Sequence, residues 1–475
     1  MATGLRLQRR VHPINTLGVD MSGINKNLGA PVASKRDLVA YLESGCKPKE
    51  KWVIGTEHEK FVFHAHNHSL VAYDEKNGIR ELLQGLMRFG WHAVYDRDNI
   101  IGLEKNGAAI SLEPAGQLEL SGAPLETLHQ TKDELDEHFD QVATVGGELG
   151  LGFLGMGYHP TAAREHMPWM PKQRYAIMKN YMPTVGRMGL DMMTRTCTTQ
   201  VNVDYADEDD FRKKMRVSAA LQPVATALFA ASPFKEGKPS GLHSTRMQVW
   251  EDTDNQRSGF PSFVFEDGFG FERYVDFALS APMYFVYRDG TFINATGQKF
   301  SDFMAGRLPA FPGHTPTTTD WHDHLTTCFP DVRAKTYLEM RGADCGNREM
   351  IVALPAFWVG LLYDATALDQ AAQLVREWSV PDMQQLRHDV VRKGLYATMG
   401  GRIVANIARD CLKLSAQGLR RRARRLNGGS DETKYLTPLD IIVETEQTLS
   451  DEWLGLYHGA WNKDISKIFE AARLV

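Results

Sequence analysis

Apolar and polar residues alternate along five stretches of the chain, 52–64, 109–121, 150–157, 194–205 and 336–342, and the period of two predicts strands there. In "IGTEHEKFVFHAHNHSL", Ile54 to Leu70, alternate side chains share a face. Glu57 and Glu59 then point one way with Phe61 and Phe63, while His58, Lys60, Val62, His64, His66 and His68 point the other. In "AAISLEPAGQLELSGAPLE" Glu113 precedes a Pro-Ala-Gly turn. Gln117, Glu119 and Ser121 share one face there, and Leu118 and Leu120 take the apolar one. "MTRTCTTQVNVDY" sets Thr194, Thr196, Thr198, Gln200, Asn202 and Asp204 against Cys197, Val201, Val203 and Tyr205. "TYLEMRGAD" sets Tyr337, Glu339 and Arg341 against Leu338 and Met340.

A period near 3.6 appears elsewhere. From Pro124 to Val145, Leu125, Leu128, Leu135, Phe139 and Val142 form one stripe of a predicted helix. A second, "DEDDFRKKMRVSAALQPVATALFAAS", opens on acids that suit a helix N-terminus and carries Pro223, which predicts a kink. From about Ala356 onward the chain reads almost wholly as helices. Repeating βαβ units are missing, so the expectation is an α+β fold on one antiparallel sheet with a helical C-terminal region. No repeat or Pro/Gly/Ser-rich linker divides the chain, which predicts a single catalytic unit from 35 to 475 behind a flexible extension, 1–34.

Bulk composition narrows the function. With 475 residues, 43% hydrophobic and 24% charged, a large core is expected. A net charge of −5 gives no pull toward nucleic acid or an anionic membrane. Five scattered cysteines, Cys46, Cys197, Cys328, Cys345 and Cys411, argue for a reducing compartment rather than a disulfide scaffold. No run of about 18 apolar residues predicts a membrane span, and the basic N-terminal thirty residues lack the apolar core of a secretory signal.

A polar strand face is ordinarily a solvated one. Four such faces bearing Glu or Gln, in a chain with this much helix to cover them, predict a buried acidic surface. Covered carboxylates stay ionised only beside cations. Magnesium suits this donor set, because it takes carboxylate and amide oxygens and keeps waters and substrate phosphates. Glu57, Glu59, Glu113, Glu119, Gln200 and Glu339 are the predicted ligands of more than one Mg²⁺, with Arg341 supplying charge for phosphoryl transfer. The row His64, His66, His68 competes as a zinc or copper site, but no second His or Cys cluster matches it. "HEKFV" places Val62 where a metalloprotease helix needs histidine. "GFLGMG" lacks the Lys-Ser/Thr of a phosphate-binding loop and reads as a buried strand with a tight turn. "LRRRARRLNGG", Leu419 to Gly429, reads as a solvated helix C-terminus closed by Gly428 and Gly429.

Seven blocks resemble one family: "IGTEHEKF", "SLEPAGQLELSGAPLETLHQT", "FLGMGYHP", "NYMPTVGRMGLDMMTRTCTTQVNVDY", "ALQPVATALFAASPF", "MRGAD" and "ALPAFWVGLLYD". They are similar, in order, to glutamate–cysteine ligases of the plant-type class, which also occurs in proteobacteria. The likeness runs from about Lys35 to near the C-terminus. It implies a glutamine-synthetase-like antiparallel sheet forming a funnel-shaped active site. It also implies ATP-dependent joining of the γ-carboxylate of glutamate to the amine of cysteine through a γ-glutamyl phosphate, the first step of glutathione synthesis. By the same resemblance these five acids and one amide fall where the family holds Mg²⁺. Arg341 matches the residue on the transferred phosphate, Ser121 and Asn202 fall near the nucleotide, and Arg174, Arg246 and Tyr284 hold the amino-acid substrates. ATP is the expected co-substrate and glutathione the expected feedback inhibitor. The expected state is a monomer or weak homodimer, with no nucleic-acid or membrane partner. The runner-up is a ligase of the same superfamily using another amine, which only the amine pocket can distinguish.

Plant members carry two regulatory disulfides, and the matching positions here are Lys132, Val352, Ala295 and Ala310. Both bridges are therefore expected to be missing. With no organelle transit peptide evident, a bacterial-type cytoplasmic location is expected.

Overall fold

The computed structural model describes residues 28–426 and 429–475. Nine strands make one antiparallel sheet: β1 (Ile54–His64), β2 (His92–Asp96), β3 (Asn99–Lys105), β4 (Ala108–Leu112), β5 (Leu118–Ser121), β6 (Leu151–Leu154), β7 (Thr198–Val203), β8 (Val332–Ala334) and β9 (Leu338–Asp344). Their order is β8-β9-β7-β1-β5-β4-β3-β2, and β6 pairs with the far half of β1. β1 is the hub. Its first half pairs with β7 and β5, and Phe61 to His64 pair with Leu154 to Leu151 of β6.

Alternation sorts the two faces as the sequence predicts. Leu118, Leu120, Val201, Val203, Leu338 and Met340 point to the rear and are buried in the apolar cores. Helix α1 (Leu128–Leu149) covers part of that rear face. There the His58 ring lies 5.5 Å from His138 and 5.5 Å from Phe139, and Lys60 Nζ donates to the Leu118 carbonyl at 3.1 Å. Helices α2 (Gln173–Tyr181) and α3 (Gly189–Arg195) lie toward the front. A long helix, α4 (Glu208–Leu228), runs behind β9 as one element through Pro223. The short α5 (Thr245–Val249) follows. The C-terminal region is helical as expected, with α6 (Arg348–Leu362), α7 (Ala365–Val375), α8 (Val380–Lys393) and α9 (Val404–Arg422). No single helix among the described residues is long and apolar enough to cross a membrane. The bent pair α6 and α7 passes on length and composition together, but α6 is buried almost throughout.

Several boundaries differ from expectation. Helix α1 begins at Leu128, not Pro124, because Thr127 and Gln130 form a reciprocal capping box there, and Leu125 pairs with Ile54 instead. Thr194 and Arg195 end α3, so β7 starts only at Thr198; the Thr194 hydroxyl bonds back to the Leu190 carbonyl. Helix α9 closes at Ala423 in the left-handed region, short of the glycines, while Asn427 and Gly428 lie outside the described residues. Of the predicted extension, residues 1–27 also lie outside them. Val32 is buried, its amide donating to the Pro316 carbonyl at 2.9 Å.

Candidate active site

Three neighbouring strands set a lattice of acids on the front face. Glu59 lies across from Glu119, and Glu57 lies between Ser121 on one side and Gln200 on the other. Glu57, Glu59, Glu119 and Gln200 open into a cavity of about 950 Å³ including its mouth. Glu113, Arg174, Arg246 and Arg341 join Glu57, Glu59, Glu119 and Gln200 on its wall.

The remaining predicted residues lie behind that wall. Asn202 donates to Glu57 Oε1 at 2.7 Å, and Ser121 donates to Glu119 Oε1 at 3.4 Å. Glu339 is fully buried. It receives Nε and Nη2 of Arg333 at 2.8 Å each, lies 3.4 Å from Lys335 Nζ, and also bonds Arg341. Tyr284 is buried with its hydroxyl 3.4 Å from Asp254 Oδ2 and the Arg257 guanidinium over its ring at 3.8 Å.

Electrostatics divides the acids. Burial pushes Glu57 up to about 8, with the charges of Glu339 and Glu119 adding to it. Burial, then Glu113 and Glu119, holds Glu59 well above the carboxylate range, and burial and Glu113 raise Glu119. Burial acts on Glu339 too, but Arg333, Lys335 and Arg341 outweigh it and hold its carboxyl low. Glu57, Glu59 and Glu119 thus form a buried cluster of carboxyls short of cations, whose ionised form a divalent ion would stabilise. The amide oxygens of Gln200 and Asn202 are buried beside them without a hydrogen-bond partner, further hard donors for such an ion. Among the described residues no three His, Cys, Asp or Glu side chains close on one point.

The histidine row forms no site. His64 Nε2 meets Glu75 Oε1 at 2.9 Å, His68 stacks on Phe469, and His66 is exposed. Cys197 is fully buried with its thiol pushed up by burial, so it is no nucleophile.

Several wall residues are absent from the sequence expectation. Arg333 comes from β8, too short to show alternation. Met192, Met193, Trp250, Phe285 and Phe329 form an apolar side that distant segments assemble. Gln117 was on the right face, and its amide ties the turn before β5 to the carbonyls of Met193 and Thr196 at 3.2 and 3.1 Å.

Residues 53–471 match the model of glutamate-cysteine ligase family 2. The chain belongs to this family. It is 51% identical over 438 residues to glutamate–cysteine ligase B, chloroplastic, of Oryza sativa subsp. japonica, covering 92% of this chain and 86% of the relative. The Nicotiana tabacum chloroplastic enzyme is 51% identical over 444 residues, covering 93% and 83%. A crystal structure of a glutamate–cysteine ligase from Francisella tularensis in complex with AMP shares the fold at 14% identity. Its TM-score is 0.53, with 89% of this chain and 87% of that chain covered. The ligase has a glutamine-synthetase-like α+β fold, and it catalyses ATP-dependent formation of γ-glutamylcysteine, the first step of glutathione synthesis.

One expectation is overturned. The named relatives at 50–51% identity are chloroplastic plant enzymes, which contradicts a bacterial-type cytoplasmic location. Missing disulfide positions bear on a redox switch and not on an address. The residues before Asp20 include Arg6, Arg9 and Arg10 and no acid, a composition that transit peptides share.

Proposed function

We propose that the acidic lattice seats Mg²⁺ and the triphosphate of ATP, and that the arginines opposite hold carboxylates of the amino-acid substrates. Convergence of Glu57, Glu59 and Glu119 with Arg246 and Arg341 in one cavity supports this reading. Glu57, Glu59, Glu113, Glu119 and Gln200 would hold the metal from the cavity wall, while Glu339, paired with Arg333, Lys335 and Arg341 behind it, would reach the ion only by exchanging those cations. When bound, it neutralises triphosphate charge and stabilises the charge that develops on phosphoryl transfer. Arg341 contacts the γ-phosphate, and Ser121 and Asn202 orient Glu119 and Glu57 beside the nucleotide. Arg246 and Arg174 suit amino-acid carboxylates, since a guanidinium fork pairs with a carboxylate in two hydrogen bonds. Arg246 Nη1 is buried at the cavity with no partner of its own. Tyr284 acts from behind, where its ring packs under Arg257.

The glutamate γ-carboxylate attacks the γ-phosphorus and ADP leaves. The cysteine amine then attacks the acyl carbon, losing a proton as the amide forms, and phosphate departs. No side-chain nucleophile takes part, and positioning carries much of the rate. The matched span 53–471 supports one catalytic unit. The names of the relatives support a plastid location.

The deciding experiment is ADP release from MgATP and glutamate with cysteine against a panel of other amines. A rate with cysteine ahead of the panel is expected, and a preference for another amine refutes the amine assignment. Glutathione carries the same γ-glutamyl group and is proposed to compete with glutamate. An unchanged rate at millimolar glutathione and limiting glutamate refutes that.

A further inference from the structure

Arg246 is held in place by a buried carboxylate that the chemistry above does not use. A bulge between Met340 and Ala343 shifts the register of β9, so that Asp344 stands opposite Thr198. The Asp344 side chain is buried. Its Oδ2 accepts from Ser232 Oγ at 2.6 Å and from the Ala231 amide at 3.0 Å, and its Oδ1 accepts from Ser244 Oγ at 2.9 Å. A hydroxyl has one proton, so each serine that donates to Asp344 offers only lone pairs to its other neighbours. Those neighbours are the first amides of α5. Arg246 N donates to Ser232 Oγ at 3.2 Å, and Met247 N donates to Ser244 Oγ at 3.1 Å. One carboxylate therefore sets the direction of two hydroxyls, and these fix the main chain at Arg246.

The far end of the same residue is fixed from the same strand, where Arg246 Nη2 donates to the Arg341 carbonyl at 2.9 Å. Nη1 is buried without a hydrogen-bond partner, and Arg246 is one of the residues that line the cavity. Helix α5 has five residues, too few to hold its own geometry in water. The glycine-rich segment serves the same anchor. A Cβ at Gly157 would collide with the Asp344 carboxyl group, while its amide donates to the Ala231 carbonyl at 3.0 Å. The need for glycine here is close packing on Asp344.

We propose that Asp344 is a positioning residue of the ligase: through Ser232 and Ser244 it fixes the main chain at Arg246 so that the guanidinium meets a substrate carboxylate. This rests on the assignment of Arg246 to an amino-acid substrate.

The test is steady-state kinetics of Asp344→Asn, Arg246→Lys and the double variant, with KM measured for glutamate, cysteine and MgATP. Asparagine keeps the size of the side chain but must donate to one serine, reversing that hydroxyl. Arg246→Lys is expected to raise KM for one amino acid. Asp344→Asn is expected to raise the same KM about tenfold, the scale of one hydrogen bond to a charged group. It should leave KM for MgATP unchanged and add nothing further in the Arg246→Lys background. If Asp344→Asn does not fold, Ser232→Ala with Ser244→Ala gives the same readout. Should Arg246→Lys move neither amino-acid KM, the assignment of Arg246 falls and the proposal with it. Should that KM rise with Arg246→Lys but not with Asp344→Asn, or should the two effects multiply, the proposal alone is overturned.

Discussion

Glu59 on β1 stands directly across the ladder from Glu119 on β5. Like charges so placed destabilise a sheet, and burial sharpens the repulsion. Ser111 donates to Glu119 at 2.9 Å and the Thr198 amide to Glu59 at 3.0 Å, but neither donor brings a full positive charge. This relationship separates stability from activity. Glu119→Gln is expected to raise the melting temperature of the ligase in EDTA, since it removes one of two buried carboxyls that each disfavour the other's charge. The same variant should lose about a hundredfold in turnover, the upper range for weakening a metal site. Thermal melting in EDTA, beside ADP release at saturating MgATP, reads both effects. A lower melting temperature in EDTA would show that the pair is not repulsive.

Glu57 gives a pH signature. Its folded value near 8 lies above the ordinary 4.5, so the folded protein binds more protons than the unfolded chain between those limits. Stability of the metal-free ligase should therefore fall as pH rises from about 5 to about 8, and level off above that. Glu57→Gln should flatten this slope while cutting turnover about a hundredfold. Urea unfolding of both proteins in EDTA at pH 6 and pH 8 measures the difference. Equal pH dependence in the two proteins would mean that Glu57 is already ionised in the metal-free fold.

The acidic face was legible because period-two alternation sets Leu118, Leu120, Val201 and Val203 behind it, so register follows from burial alone. Strands β2 and β3 are missing from the sequence expectation, although Asn106 and Gly107, both at positive φ, are the pair that a tight hairpin turn favours. Thr194 misleads because a threonine alternating with polar neighbours fits a strand, while its hydroxyl can equally bond a helix carbonyl. Arg333, Trp250 and Phe329 reach the cavity through contacts far apart in sequence, which no local period encodes. The bulge that turns Asp344 toward Ser232 is likewise invisible in "EMRGAD", where strict alternation gives Asp344 the wrong face.

Arg387 on α8 forms a buried two-point ion pair with Asp331, at 2.6 and 3.1 Å, and the Asp331 carbonyl receives the Arg341 amide at 3.1 Å. Removing one partner leaves an uncompensated buried charge. Arg387→Met is expected to cost about 3–5 kcal/mol of stability, and Arg387→Met with Asp331→Asn should recover part of it. Urea denaturation measures the cycle. Single and double variants of equal stability would show that the pair contributes no coupling.

Helices α6 and α9 cross where a Cβ at Gly418 would collide with the Gly360 carbonyl. That carbonyl is backbone and cannot swing aside, so Gly418→Ala must push the helices apart. Overpacking of this kind costs about 1–3 kcal/mol. The crossing lies behind the sheet, and neither glycine lines the cavity. The variant should therefore melt earlier while keeping the KM values of the parent for all three substrates. Its turnover per folded molecule should also match, which separates loss of packing from loss of the site. A changed KM for MgATP at unchanged melting temperature would instead mean that the helical region is coupled to the acidic face.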